Sequence, residues 1–512
     1  MSVAPQNSAT FATSGPAQPA GHFGWVAQRP QTAFVAFLGL HFIVWTALPS
    51  LLYANLPLDL IEALTYGREW QLGYDKLPPL PWWMVEIVYR LFGNDAAYYA
   101  LAQLVIITAF VAVFALARPL VGATGALVAV LIIDGIHYFQ YTAAKFNHDV
   151  IQLPFWALAG WAFHAALKRG GIAPWLTLGV CLGGALWAKY FIVVLAAPYA
   201  LFVLLDRDAR PALKTPGPWL ALAVALIVAA PHLVWLVNND FLPLNYVEAR
   251  SAPAHGWFDH IKHPVVFFAG QFFFVIPALL IAAMYLWPQS AEATPAAADA
   301  FDRRIVTLLA FGPATAMAAL IAISGRGTVT MWGYPLWLYL GLWIVLFAPR
   351  LLDARRFSRI VGAWAAVFGT LALAFAINYT VLPKLDHRYR AAFFPGAAIA
   401  DALTQRFHAA TGLPLRYVIA TMWDGGNVAH YSPDHPQVLI DGLPRRAPWI
   451  DLDRLRTAGA LVVWTNSDPT HLPDRFAAIA AGAVLGEPLT LPARRGEPGA
   501  AHVGWAILKP RP

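Results

Sequence analysis

About ten apolar runs, most close to the twenty residues that cross roughly 30 Å of bilayer hydrocarbon as a helix, leave this chain little choice of solvent. They lie near 33–54, 96–117, 120–138, 150–167, 172–205, 218–238, 265–287, 305–323, 333–348 and 360–380. As one helix the run 172–205 would be about 51 Å long at 1.5 Å per residue, so it reads as two spans turning near Lys189. The expectation is therefore an α-helical polytopic membrane protein with about eleven transmembrane helices. Composition agrees, because 59% of the 512 residues are hydrophobic and only 12% are charged, against roughly a quarter charged in soluble domains. Disordered, collagenous and coiled-coil readings are excluded. The single cysteine, Cys181, lies inside an apolar run and rules out an intrachain disulfide or a cysteine zinc cluster.

The cations set the orientation. Arg29, Arg118, Lys168 with Arg169, Arg207 with Arg210 and Lys214, Arg303 with Arg304, and Arg350 with Arg355, Arg356 and Arg359 occupy alternate connections. The positive-inside rule assigns these to the cytoplasm. A net charge of +7 is then the signature of cytoplasmic loops, and no nucleic-acid partner is expected. If Lys168 and Arg207 share a side, the chain between them crosses an even number of times, which supports the turn at Lys189 independently of length.

Three regions follow. Residues 1–32 read as a cytoplasmic tail, flexible over 1–28, which are rich in Ala, Ser, Gln, Pro and Gly and lack Lys and Arg. That start does not resemble a secretory signal, and the first apolar run reads as a retained span. Residues 33–380 form the membrane domain. Its outer connections are 55–95, 139–149, the Lys189 turn, 239–264 and 324–332. Residues 381–512 change character: strand-like runs at 416–421, 437–440 and 460–464 alternate with helix-like stretches, the pattern of an outer α/β domain.

The outer connections hold polar groups that solubility does not explain. The first, 55–95, carries Asp59, Glu62, Tyr74, Asp75 and Lys76 among apolar and aromatic residues, a mixture suited to interfacial helices shaping a cleft. Taken alone, the prolines after Lys76 equally suit a turn that starts a helix. The second carries Lys145, Asn147, His148 and Asp149 just before a span, where Asp149 can also serve as a helix cap. Lys76, Lys189, Arg250 and Arg326 bring cations to the same outer face from four separate segments; the ordinary role of Lys189 there would be snorkelling to lipid headgroups. Carboxylates that can take a proton, beside cations that can hold an anion, suit a reaction in which a phosphate leaves. His232, His255, His260 and His263 leave a divalent cation open as a cofactor, although their spacing matches no structural zinc signature. There is no P-loop, no GxGxxG after a strand and no HExxH, which disfavours an ATP-driven pump or a dinucleotide enzyme.

These residues resemble a known family. Asp59, then Gly73 and Tyr74, then Pro78, Pro79, Leu80 and Trp82 resemble the first-loop signature of membrane glycosyltransferases related to protein O-mannosyltransferases, glycosyltransferase family 39. Asp75 and Lys76 are similar to the acid-Lys-Pro element of bacterial lipid A aminoarabinose transferases. Asn147, His148 and Asp149 resemble the second acidic motif, and Ala188, Lys189 and Tyr190 the short lysine element. In flavour the chain is most similar to lipid A galacturonosyltransferases of rhizobial type. Two positions depart from the pattern: Leu60 stands where a second acid often follows Asp59, with Glu62 two residues on, and Leu77 stands where a histidine often precedes the paired prolines.

The resemblance, over about 33–380, implies a GT-C fold in a bacterial inner membrane, with the active site and the C-terminal domain periplasmic. It implies a polyprenyl-phosphate-linked sugar donor, a lipid A-like or other cell-envelope acceptor, and transfer with inversion. Asp59 would be general base and Asp149 would position the acceptor or share the proton. Lys76, Lys189, Arg250 and Arg326 would hold the donor phosphate, with Glu62, Tyr74, Asp75, Asn147 and His148 positioning substrates. Two other readings fit many spans with scattered charge: a transporter or flippase of lipid-linked sugars, and a scaffold or sensor with an outer ligand-binding domain. Transporters usually place coupling charges near the midplane, whereas only Asp134 among these candidates departs from the outer ends of spans.

Overall fold

The computed structural model describes residues 29–288, 298–386, 390–496 and 499–511. The expected flexible tail, 1–28, lies outside the described residues. Helix α1 (Pro30–Leu52) starts with proline in its first turn, where the missing N–H is no loss. Two short helices, α2 (Leu58–Gly67) and α3 (Leu80–Phe92), then form the first connection. Next comes α4 (Ala96–Asp134), which is two helices parted by a kink at Gly122, with φ 73° and ψ 169°. The apolar pattern places that break at Arg118; it falls four residues later because glycine alone takes a positive φ without steric cost.

The chain continues through α5 (His148–Arg169), α6 (Ile172–Ala188), α7 (Ile192–Leu205), α8 (Gly217–Asn238) and the short α9 (Pro243–Arg250). It then forms α10 (Asp259–Leu286) and α11 (Ala300–Ser324). The apolar run 333–348 is not one helix: a 3-10 segment, Thr330–Trp337, meets α12 (Leu340–Phe347) at a bend of 45°. Pro335 lies within that segment and cannot donate to a helical ladder. Helix α13 (Ala354–Thr380) closes the bundle. Among the described residues, seven helices are long and apolar enough to cross a membrane, or eight with the bent pair counted; α6 and α7 are shorter and apolar.

Beyond the bundle a mixed six-stranded sheet forms in the order β2-β1-β3-β6-β4, with β5 also on β6. Its strands are β1 (Tyr417–Ala420), β2 (Gln437–Ile440), β3 (Ala460–Trp464), β4 (Val484–Leu485), β5 (Leu489–Pro492) and β6 (Ala500–Leu508). The strands β2, β1 and β3 run parallel, and β6 runs antiparallel to β3. Alternation along each strand feeds two apolar layers. Val418, Leu461 and Val463 meet α14 (Gly396–Thr411) and α15 (Met422–Tyr431) on one face, and Ile419, Val462 and Trp464 meet α16 (Leu452–Ala458) on the other. The sheet unit is fastened to the first connection: Asn55 donates to Asn427 at 3.0 Å, and the Leu56 amide donates to the Tyr431 hydroxyl at 3.2 Å.

Candidate functional site

Helix α2 presents Asp59, Glu62 and Tyr66 on one side, because residues three or four apart share a helix face. The irregular segment after α2 folds back over that face. Tyr74 donates its hydroxyl to the Tyr66 carbonyl at 2.7 Å, and Tyr66 donates to Asp75 at 2.6 Å. Lys76 then donates to Glu62 at 2.6 Å, with its ammonium 5.1 Å from the Tyr246 ring centroid on α9. Gly73 allows this close docking, since a Cβ there would lie 2.0 Å from the Trp235 indole.

The second connection meets the first at Asp59. Asn147 donates to Asp59 at 3.0 Å, and the Lys145 ammonium lies 2.9 Å from the same carboxylate oxygen. Asn147 also caps α5, accepting from the Asp149 and Val150 amides at 3.0 and 3.1 Å. Asparagine, and not Asp149, is therefore the cap, which frees the Asp149 carboxylate. His148 donates from Nε2 to the Pro78 carbonyl at 3.0 Å and stands edge-on to Trp82, 4.9 Å between centroids.

The third contributor is the break between α6 and α7. Lys189 has extended backbone, φ −166° and ψ 147°, and donates to Asp149. It is 6% exposed and lies 5.1 Å from the Phe191 ring centroid, so it does not snorkel to headgroups. His232 of α8 holds this break to the first connection, with Nδ1 donating to the Leu72 carbonyl at 2.7 Å and Nε2 3.1 Å from the Tyr190 hydroxyl. A carbonyl only accepts, so Nδ1 carries a proton.

The site thus contains three carboxylate–lysine pairs: Asp59–Lys145, Glu62–Lys76 and Asp149–Lys189. Burial would raise the Asp59 pKa, but the Lys145 charge and the hydrogen bonds from Asn147 and Lys145 outweigh it and hold Asp59 at about 2. Burial raises Glu62, opposed by Lys76 and reinforced by Asp59 and Asp75. Burial would lower the Lys76 ammonium, yet the neighbouring Glu62 carboxylate raises it, so it stays charged. A cavity of about 400 Å³ opens beside the Glu62–Lys76 pair, walled by Asp75 and Lys76, by Asn245 and Tyr246 of α9, and by Arg445 and Arg446 of the sheet unit.

The structure brings Asp59, Glu62, Tyr74, Asp75, Lys76, Asn147, His148, Asp149 and Lys189 into one connected region. The two distal arginines sit differently. Arg326 donates to the Ser251 hydroxyl at 3.0 Å and to the Glu248 carbonyl at 3.1 Å, bracing the connection after α9. Arg250 is exposed at the end of α9, one turn beyond Tyr246. His260 and His263 donate to the Ala322 and Gly325 carbonyls at 2.6 and 2.8 Å. Among the described residues no three His, Cys, Asp or Glu side chains group as a metal site. Asp134 does not face the cleft. It is fully buried, accepting from Trp364 at 2.7 Å and Gln140 at 3.1 Å, with His41 at 2.9 Å.

Two contributors escape a reading of the sequence. Lys145 opens the second motif, but its pairing with Asp59 crosses 86 positions (59 to 145). Arg446, which donates to Asp75 at 2.6 Å and also to Asp441, lies in a loop of the sheet unit with no local signal to mark it.

The geometry can be set beside known proteins. Residues 76–235 match the family described as dolichyl-phosphate-mannose-protein mannosyltransferase. Over those residues the chain is similar to this family. The lipid A galacturonosyltransferase RgtD of Rhizobium johnstonii is 28% identical over 230 residues, 43% of this chain and 46% of RgtD. The chain thus matches just under half the length of RgtD. The lipopolysaccharide core galacturonosyltransferase RgtA of the same organism is 26% identical over 500 residues, 92% of this chain and 96% of RgtA. The crystal structure of ArnT from Cupriavidus metallidurans bound to undecaprenyl phosphate superposes with a TM-score of 0.64, covering 95% of this chain and 98% of ArnT at 15% identity. The multi-span bundle therefore has the ArnT fold.

Proposed function

We propose that this chain transfers a sugar from a polyprenyl-phosphate donor to a hydroxyl of a lipid A-like or core acceptor, with inversion, at the periplasmic face of a bacterial inner membrane. The observation that carries this reading is Asp59, an ionised carboxylate clasped by Lys145 and Asn147 beside two further carboxylate–lysine pairs. Such pairs hold cations ready for an anion without leaving charge unpaired in the unliganded site. The names of RgtD and RgtA support the acceptor class, and the undecaprenyl phosphate bound to ArnT supports the carrier.

The acceptor oxygen attacks the anomeric carbon as the bond from that carbon to the phosphate oxygen breaks. The hydroxyl proton passes to Asp59 and polyprenyl phosphate departs. A carboxylate held near 2 is ionised at any ordinary pH but is a feeble base. In this scheme the donor phosphate draws Lys145 and Lys76 toward itself, which leaves the effect of burial on Asp59 less opposed and raises its basicity as substrate binds. Lys189 contributes from the far side through Asp149, and that carboxylate positions the acceptor. Arg250 is the more accessible arginine for phosphate, with Arg326 bracing the connection that carries it.

In this reading the chain crosses the membrane about eleven times: α4 counts as two spans at Gly122, the bent pair as one, and α6 with α7 as a hairpin. Residues 33–380 are the catalytic domain and 381–512 the periplasmic domain. The test is mass spectrometry of lipid extracts from cells carrying wild type or Asp59→Asn. The expected result is loss of one sugar from one lipid with build-up of its polyprenyl-phosphate donor. Unchanged products from a normally expressed variant would remove Asp59 as the base.

A further inference from the structure

The cavity beside Lys76 is completed by the sheet unit, and the way it is completed bears on which sugar it takes. After β2 the chain turns through two left-handed residues, Asp441 at φ 53° and Gly442 at φ 68°, into a 3-10 turn over Pro444–Arg446. The Asp441 amide is tied to the Ala420 carbonyl at 2.8 Å. Both arginines of that turn line the cavity. Arg446 is held by Asp75 and Asp441, and Lys76 is held by Glu62. Arg445 is exposed, and no hydrogen bond or ion pair to protein is found for it among the described residues. The cavity therefore offers one guanidinium without a protein partner, carried on a turn whose other end is clamped to the first connection.

We infer that Arg445 is the subsite for the carboxylate of a uronic acid carried by the donor. The inference rests on the proposed reaction, in which the donor phosphate lies at Lys76. The sugar bonded to that phosphate then projects into the same cavity. In a galacturonyl unit the carboxyl group stands on C5, across the ring oxygen from the anomeric carbon, so it points away from the phosphate toward a separate cation. A planar guanidinium matches a carboxylate with two parallel hydrogen bonds, a fit that a hydroxymethyl group in its place does not offer. A phosphate of the acceptor is the other anion that a free arginine could hold, and the test separates the two.

The full-length protein in detergent is titrated with galacturonic acid 1-phosphate and with galactose 1-phosphate, which differ only at C6, following tryptophan fluorescence. Wild type should favour the uronate by about tenfold or more, the scale of a charge-assisted contact. Arg445→Gln should bring the ratio close to one, and Arg445→Lys should keep part of it. Equal binding of the two ligands to wild type, absence of binding, or a ratio that survives in Arg445→Gln would overturn the assignment. Equal weakening of both ligands in Arg445→Gln would overturn it too, by assigning Arg445 to phosphate. Transfer assays keep the two levels apart. A lost uronate preference with transfer intact removes the subsite alone, whereas no transfer from either polyprenyl-phosphate sugar removes the proposed reaction.

Discussion

Asp59 stands under two opposed influences, and their balance is a property that can be measured. Burial favours its protonated form, while Lys145 and Asn147 favour the carboxylate and prevail, leaving the pKa at about 2. The acid limb of kcat/KM, which reports the free enzyme, should therefore not contain Asp59 at ordinary pH in wild type. Replacing Lys145 by methionine removes the strongest influence that lowers the pKa. The pKa then rises, the ionised base is lost as pH falls, and the acid limb should move up by about 1–3 pH units. A pH profile of the residual activity checks this, and an acid limb unchanged from wild type would mean that Lys145 does not tune Asp59. At this scale the sequence was legible where residue type and local context coincide. Asp59, Lys76, Asn147 and Asp149 stand out as polar groups beside spans, and they do converge. Lys145 stands in the same short motif, but nothing local distinguishes a lysine that reaches Asp59 from one that faces water.

At the scale of elements, length and composition carried far. The apolar run 172–205 is too long for one crossing, and the chain does break at Lys189. Strand-like alternation at 416–421, 437–440 and 460–464 corresponds to β1, β2 and β3. The two-residue β4 is too short to show a period, and both β4 and β5 form against the edge that β6 offers. Packing determines the remainder. Helix α6 lies against α8 through Gly179 and Gly183, where an added Cβ would come within 2.6 Å of the Ala221 carbonyl oxygen and 2.7 Å of the Val228 Cβ. Small residues four apart allow such an approach between apolar helices. Gly183→Leu should cost about 1–3 kcal/mol by overpacking. A thermal melt in detergent measures it, and the Lys189–Asp149 pair beyond that helix end should loosen with it, lowering turnover. A variant with wild-type melting would show that α6 and α8 have room to part.

For the whole molecule, the sheet unit and the bundle form one site through Arg446. Its guanidinium is shared between Asp75 of the first connection and Asp441 of the turn after β2. Burial would lower the Arg446 pKa, but Tyr66 and Asp75 raise it, so the charge is secure. Arg446→Ala should weaken this clasp by about 1–3 kcal/mol, the cost of removing a charged hydrogen-bond donor from a partly buried carboxylate that keeps only Tyr66 among the described residues. Amide exchange across 66–80 should quicken while exchange in the strands of the sheet stays near wild type. Unaltered exchange across 66–80 would mean that the other contacts, among them Asn55 with Asn427, Arg68 with the Pro436 carbonyl and Gln437 with Glu69, suffice to hold the unit in place.

The sequence by itself determined the solvent, the rough limits of the apolar segments and the motifs that resemble a membrane glycosyltransferase family. These properties are written in short stretches, because hydrophobic length and periodicity act over tens of residues at most. Only the tertiary structure decided which lysine meets which carboxylate, that Asn147 and not Asp149 caps α5, that Asp134 is closed off among Gln140, Trp364 and His41, and that Arg445 and Arg446 reach the cavity at Lys76. Each of these pairs residues far apart in the chain, or depends on which of two neighbouring side chains turns inward. Such choices follow from the packing of the entire bundle, and no local pattern encodes them.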